Sequence, residues 1–129
     1  MEAKQIVQRY VRAYETGQGS VSAFLHPSHL YFPPGGGKPM NLKERIRDEI
    51  VFFSAFSNIR TKVEDIVVEG NKVAFRVALH CKHTGEYQGI RATNRPVTIR
   101  YMEILLLEDG KIIKEWAEFD LTSILNQLN

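Results

Sequence analysis

From about Ile59 to Phe119 the apolar residues recur at every second position, broken by short polar turns. A period of two places alternate side chains on opposite faces of an extended strand, and no helix accommodates it. "EGNK" (Glu69 to Lys72) and "EDGK" (Glu108 to Lys111) carry the Gly, Asn and Asp residues that tight hairpin turns demand. The pattern predicts strands over 59–68, 72–84, 96–107 and 111–119, with "GEYQGIRATNR" (Gly85 to Arg95) as a longer connection. Four consecutive strands of this kind make a curled antiparallel meander.

Before Ile59 the spacing is helical. Ile6, Val7, Tyr10, Val11 and Tyr14 share one face of a helix from Ala3 to Glu15, which Gly17 and Gly19 end. "HLYF" (His29 to Phe32) reads as a short strand and "PPGGGKP" as a loop. Asn41 followed by Glu44 has the form of a capping box, opening a helix to about Phe56 with Ile46, Ile50 and Phe53 turned inward. A short helix, "LTSILNQLN", closes the chain. Helices gathered on one face of an antiparallel sheet define an α+β fold. With 129 residues, a single domain spanning 1–129 is expected.

Composition narrows the function. Apolar residues at 43% suffice for a core, and a net charge of +2 with no basic block argues against nucleic acid or an anionic membrane as partner. The charged, amphipathic start does not resemble a secretory signal, no apolar run reaches membrane-spanning length, and Cys81 stands alone. A cytoplasmic location is expected. "HPSH" and "HCKH" suggest a metal, but His80 and His83 face opposite sides of a strand and no third ligand joins Cys81 and His83, so no metal is expected. "PPGGGKP" lacks the Ser or Thr that a phosphate loop needs after its lysine.

The facing of the strands suggests a pocket. Val73, Phe75, Val77, Leu79, Cys81 and His83 lie on one face of their strand. If Asp109 and Gly110 make a two-residue turn, Glu108 pairs with Lys111, Glu103 with Trp116, Tyr101 with Glu118 and Ile99 with Asp120. A one-residue bulge at Gly110 would instead bring Met102 to Trp116. In the first register one face collects Ile99, Tyr101, Glu103, Trp116 and Asp120: apolar walls with a few acids, as in a ligand pocket. A shielded carboxylate there has a raised pKa and can exchange protons near neutral pH. Asp120 also suits the N-cap of the last helix.

The stretch from His83 to Leu128 resembles the SnoaL-like polyketide cyclase family of the nuclear transport factor two-like fold. The resemblance rests on "HTGE" (His83 to Glu86), a connection ending at Arg95, the "DGKI" turn (Asp109 to Ile112), "EWAEFD" (Glu115 to Asp120) and Gln127–Leu128. It implies a cone-shaped, curved antiparallel sheet packed on N-terminal helices. It implies acid/base ring closure of a small apolar carbonyl compound of the polyketide ester type, with no cofactor and no metal. Asp120 would carry the proton, with His83 and Glu103 as further catalytic groups. Trp116, Tyr101, Ile99, Phe75 and Tyr31 would contact substrate. Glu103 in "MEILL" also stands where the ketosteroid isomerase branch holds a protonated acid, although Leu106 replaces that branch's arginine and Phe32 lies near the place of its base. The same fold hosts ligand-binding or dimerisation modules without catalysis. The even face of the last two strands, with Met102, Ile104, Leu106, Ile113 and Phe119, predicts a homodimer through the outer sheet face.

Overall fold

The computed structural model describes residues 2–129. Helix α1 (Ala3–Ala13) leads through a 3₁₀ turn (Ser22–Phe24) into strand β1 (Leu25–Phe32). Strand β2 (Met40–Asn41) and helix α2 (Leu42–Ala55) follow. The meander is β3 (Phe56–Glu69), β4 (Lys72–His83), β5 (Pro96–Glu108) and β6 (Lys111–Phe119), and α3 (Leu121–Gln127) closes the chain. Every strand of the period-two segment forms where the alternation predicts it, within three residues. The capping box at α2 is complete: Asn41 Oδ1 accepts the Glu44 amide at 2.9 Å and Glu44 Oε1 accepts the Asn41 amide at 3.0 Å.

The six strands lie in the order β2-β1-β6-β5-β4-β3. One expectation is corrected here: the sheet is mixed, because β1 runs parallel to β6. The chain crosses from β1 through α2 and the meander before β6 returns beside it. Register shifts in β3 and β6 bend the strands, so the sheet curves as an open cone. Val7, Tyr10 and Val11 of α1 fill its concave face against Val73, Val77, Leu79, Leu105 and Ile112.

The pairing of β5 with β6 departs from both registers considered above. Glu108 pairs with Lys111 and Leu107 with Ile112, but then Leu106 pairs with Lys114. Ile113 is an extra residue, and the bulge moves the pairing one step opposite to the Gly110 alternative. A single-residue shift exchanges the two faces of a strand. Glu103 therefore pairs with Ala117, Ile104 with Trp116 and Tyr101 with Phe119. Glu115, Ala117 and Phe119 point inward, while Trp116 and Glu118 point outward. Simple hydrophobic patterning would bury Trp116; the fold buries Glu115 because basic and phenolic partners await it inside.

Helix α2 holds a second surprise. Its buried residues are Arg45, Glu49 and Ala55, whereas Ile50 and Val51 are exposed. The helix presents a polar face to the sheet.

Glu115→Ala should leave Arg45, which the bulge brings Glu115 inward to meet, buried without its carboxylate. Breaking a buried pair in this way costs about 3–5 kcal/mol. Thermal melting by circular dichroism should show a severely destabilised or unfolded chain, and a variant that melts like wild type would overturn this account of the bulge.

Candidate functional site

The concave face of the sheet and α2 enclose a cavity of about 160 Å³. Glu103, Tyr101 and Ile99 of β5 supply one wall, and Arg45, Asp48, Glu49 and Phe52 of α2 the other. Those α2 residues fall at i, i+3, i+4 and i+7, so one helical face carries them all. Tyr14, Tyr31, Phe119 and Ile124 complete the wall, and Tyr87 and Gln88 reach in from the long connection.

Behind the cavity lies a buried polar cluster centred on Glu115. Its Oε1 accepts Arg45 Nε–H at 3.2 Å and lies 3.2 Å from His29 Nε2. Its Oε2 accepts the Tyr10 hydroxyl at 2.6 Å. Arg45 Nη2 donates to the hydroxyl oxygens of Tyr10 at 3.1 Å and Tyr14 at 3.0 Å. The guanidinium also sits 5.2 Å from the centre of the Tyr31 ring. His29 Nδ1 is 2.7 Å from the Ile112 carbonyl oxygen and donates to it, which ties β1 to the residue just before the bulge.

The two inward glutamates are diagonal neighbours across β5 and β6, and their carboxyls perturb each other. Burial alone would raise both. At Glu115 the positive charge of Arg45, with His29 and Glu103 beside it, outweighs burial, so its carboxyl is held far below the usual range. At Glu103, burial and the neighbouring negative charge of Glu115 push the carboxyl well up, against a weaker opposing pull from Arg45. The result is one ionised and one protonated carboxyl side by side. Glu103 Oε1 has no partner among the described residues. Burial lifts the Tyr14 phenol to about 12 and raises Tyr101 and Tyr31, keeping all three as neutral donors. Asp48 at the rim is raised from the ordinary aspartate value, first by partial burial and then by Glu115. Glu49 Oε2 accepts the Gly19 amide at 2.7 Å, and its buried Oε1 has no partner among the described residues.

Of the residues singled out from the sequence, Glu103, Tyr101, Ile99 and Tyr31 meet in the cavity. The others lie elsewhere. Asp120 is exposed and caps α3, its Oδ1 accepting the Thr122 amide at 3.0 Å. It lines a second cleft with Thr98, Arg100, Ser123 and Gln127, and Ile124 lines both that cleft and the cavity. Trp116 stacks on Phe32 on the outer face, with ring centres 5.2 Å apart. Both departures follow from the bulge at Ile113. Phe75 is core, paired with Glu103 across β4 and β5 but outside the cavity lining. His83 is fully buried beside Phe56, and its Nδ1 accepts the Thr93 amide at 3.1 Å. It anchors the connection that carries Tyr87 and Gln88. Gly85 starts that connection, where a Cβ would lie 1.9 Å from the Ser54 carbonyl oxygen.

Sequence reasoning missed Arg45, Asp48, Glu49, Tyr14, His29 and Glu115. The spacing of Arg45, Asp48 and Glu49 was the available signal, since three charges on one helical face opposite an apolar sheet need a polar interior. Nothing in the sequence marks Glu115 as inward without the bulge.

A family model described as SnoaL-like polyketide cyclase matches residues 4–128. The chain is 27% identical over 123 residues to the aklanonic acid methyl ester cyclase AcmA of Streptomyces galilaeus, covering 90% of this chain and 84% of that protein. Among solved structures, AclR of Streptomyces galilaeus superposes with a TM-score of 0.88 at 20% identity, covering 98% of this chain and 94% of that one. A protein of Catenulispora acidiphila with a ketosteroid isomerase-like fold gives a TM-score of 0.75 at 14% identity, covering 95% and 91%. The α+β cone expected from the sequence is the observed fold.

The split between the two glutamates has a measurable sign. In carbon-13 spectra of labelled glutamate, one side chain should stay ionised well below the usual midpoint of about 4.3, and another should stay protonated well above it. Glu103 has a raised folded pKa, so its contribution to stability is complete below the unfolded midpoint and fades as pH rises toward the folded one. Glu103→Gln, which cannot ionise, should gain stability relative to wild type as pH rises from about 4 to 8. A flat difference across that range would contradict the assignment.

Proposed function

The chain belongs to the SnoaL-like polyketide cyclase family, and from that premise we propose that it closes a ring in a small apolar carbonyl compound of the polyketide ester type by acid/base chemistry. The single observation that carries this reading is Glu103 buried in the cavity wall diagonal to Glu115, a placement that pushes its carboxyl up. In an intramolecular aldol step, a carbon acid between two carbonyls loses a proton and attacks another carbonyl of the same molecule. One C–C bond forms, and the oxygen of the attacked carbonyl takes a proton. Asp48, a carboxylate of raised basicity on the cavity rim, is the base in this scheme. Glu103 is the acid, with Tyr14 and Tyr101 as neutral donors to the developing oxyanion. Environments that push two carboxyls apart in pKa are the usual means of assigning such roles. Asp120, which the family resemblance singles out, is read here as a helix cap. The support is its exposure and its bond to Thr122.

Polyketide β-keto esters, with aklanonic acid methyl ester first among them, are the substrates to try. Ring closure leaves the mass unchanged, so the product appears as a new chromatographic peak of the same mass. Glu103→Gln should lower the rate by about 10²–10⁴-fold while melting at neutral pH falls no lower than wild type. Asp120→Asn should retain both rate and stability, because Asn caps as well as Asp, and Asp120→Ala should cost about 0.5–2 kcal/mol. Loss of activity in Asp120→Asn with Glu103→Gln unaffected would reverse the assignment. Saturable binding without turnover of any such ester would favour a non-catalytic ligand-binding module.

We also propose a homodimer through the outer sheet face. Phe32, Trp116 and Ile104 form a continuous apolar row across β1, β6 and β5, flanked by Met102. Met102 is 60% exposed and Ile104 42% exposed, a patch that favours burial against a partner. Phe119, expected on this face, lies inside because of the bulge. Light scattering at tens of micromolar should give twice the chain mass, and Ile104→Glu should halve it. A monomeric wild-type mass would remove the proposal.

A further inference from the structure

Glu49 is placed in the cavity wall and is only 3% exposed, a costly position for a carboxyl. One of its oxygens is accounted for. Oε2 accepts the Gly19 amide at 2.7 Å, and Gly19, at φ +90°, turns the chain so that its N–H meets the helix. The other is not: Oε1 is buried and finds no donor among the described residues. Buried polar atoms in folded proteins are nearly always paired, and leaving one unpaired carries a penalty that a bound group can relieve. The aldol reading gives Glu49 no task, since Glu103 and Asp48 handle the protons. Holding the Gly17–Gly19 turn requires only one oxygen.

We infer that Glu49 is the specificity residue of the cavity, and that its free oxygen accepts a hydrogen bond from a hydroxyl, phenol or enol on the ligand. This rests on the cavity being the ligand site. It adds that the ligand is a hydroxy-carbonyl compound rather than a plain ketone or ester. The carbonyl end meets Glu103 on β5, and the hydroxyl end meets Glu49 on α2. Such a site rejects an analogue that lacks or caps the hydroxyl, because the carboxyl oxygen is then buried unpaired.

The chemistry of glutamine makes a sharp test. In Glu49→Gln the amide oxygen can keep the Gly19 bond, and the amide nitrogen then occupies the place of Oε1. The turn survives, but the free atom changes from acceptor to donor. The probes are 3- and 4-hydroxyacetophenone and their methyl ethers, which bind without reacting, titrated by amide chemical shifts into the full-length protein. Wild type should bind the better phenol roughly 10- to 100-fold more tightly than its ether, the range expected for a hydrogen bond to a buried carboxyl. Glu49→Gln should erase or invert that preference at unchanged melting temperature. Glu103→Gln should weaken phenol and ether alike. Equal affinities for phenol and ether in wild type, or binding of neither phenol, overturns the inference, as does a preference that survives Glu49→Gln. Because no turnover is measured, a failed cyclase assay leaves this result standing. Conversely, a cyclase that treats phenol and ether alike would refute only the role of Glu49.

Discussion

The buried ion pair between Glu115 and Arg45 is the constraint on which the rest of the structure depends. A carboxylate with no exposure requires several partners, and here a guanidinium, a tyrosine hydroxyl and an imidazole surround it. Each partner comes from a different element: Tyr10 from α1, His29 from β1 and Arg45 from α2. The cluster fixes how three elements meet the concave face of the sheet. It also accounts for the polar face of α2, which would otherwise conflict with an apolar interior. A helix that must bring Arg45 inward brings Asp48 and Glu49 with it one turn further on and Phe52 two turns on, and those side chains become the cavity wall.

The same pair explains why β6 carries an extra residue. With Ile112 inward beside Leu107, an unbulged strand would face Lys114 and Trp116 inward and Glu115 toward solvent. The bulge at Ile113 reverses this. His29 reinforces it by bonding the Ile112 carbonyl with one nitrogen while its other faces Glu115. The exchange also sends Trp116 outside, where Phe32 covers part of it, and so creates the apolar row offered as a dimer surface.

The legibility of the chain follows from the range of the interactions involved. Alternation of side chains is a local signal, so β3 to β6 were legible to within three residues. The Asn41 to Glu44 capping box was legible for the same reason. Register is a comparison of two strands, and one inserted residue is invisible to the alternation on either side of it. The site reading inherited that limit: Glu103, Tyr101 and Ile99, on the unbulged β5, line the cavity, while Trp116 and Asp120, beyond Ile113, lie outside its lining. Glu115 and Arg45 are far apart in sequence and unremarkable singly. Only the tertiary fold reveals that each is the other's reason to be inside.

The cluster bears directly on the proposed ring closure. The buried region near Glu115 holds a carboxylate that Arg45 and Tyr10 already satisfy. A second negative charge at Glu103 would face the first across a diagonal pair of strands in a poorly solvated space. The cluster therefore favours a proton on Glu103 at rest and penalises its loss. A substrate oxygen gaining negative charge beside it would meet the same repulsion from Glu115 unless it receives a proton. Transfer from Glu103 merely moves the charge, and it becomes favourable only as the substrate oxygen grows more basic than a carboxyl raised in this way. That condition is met by an alkoxide formed in carbon–carbon bond closure far more readily than by a resting carbonyl. In the proposed ring closure, an acid held neutral by a neighbouring charge would donate late and selectively, and the base, needing to ionise in the resting state, would sit at the wetter rim where Asp48 lies.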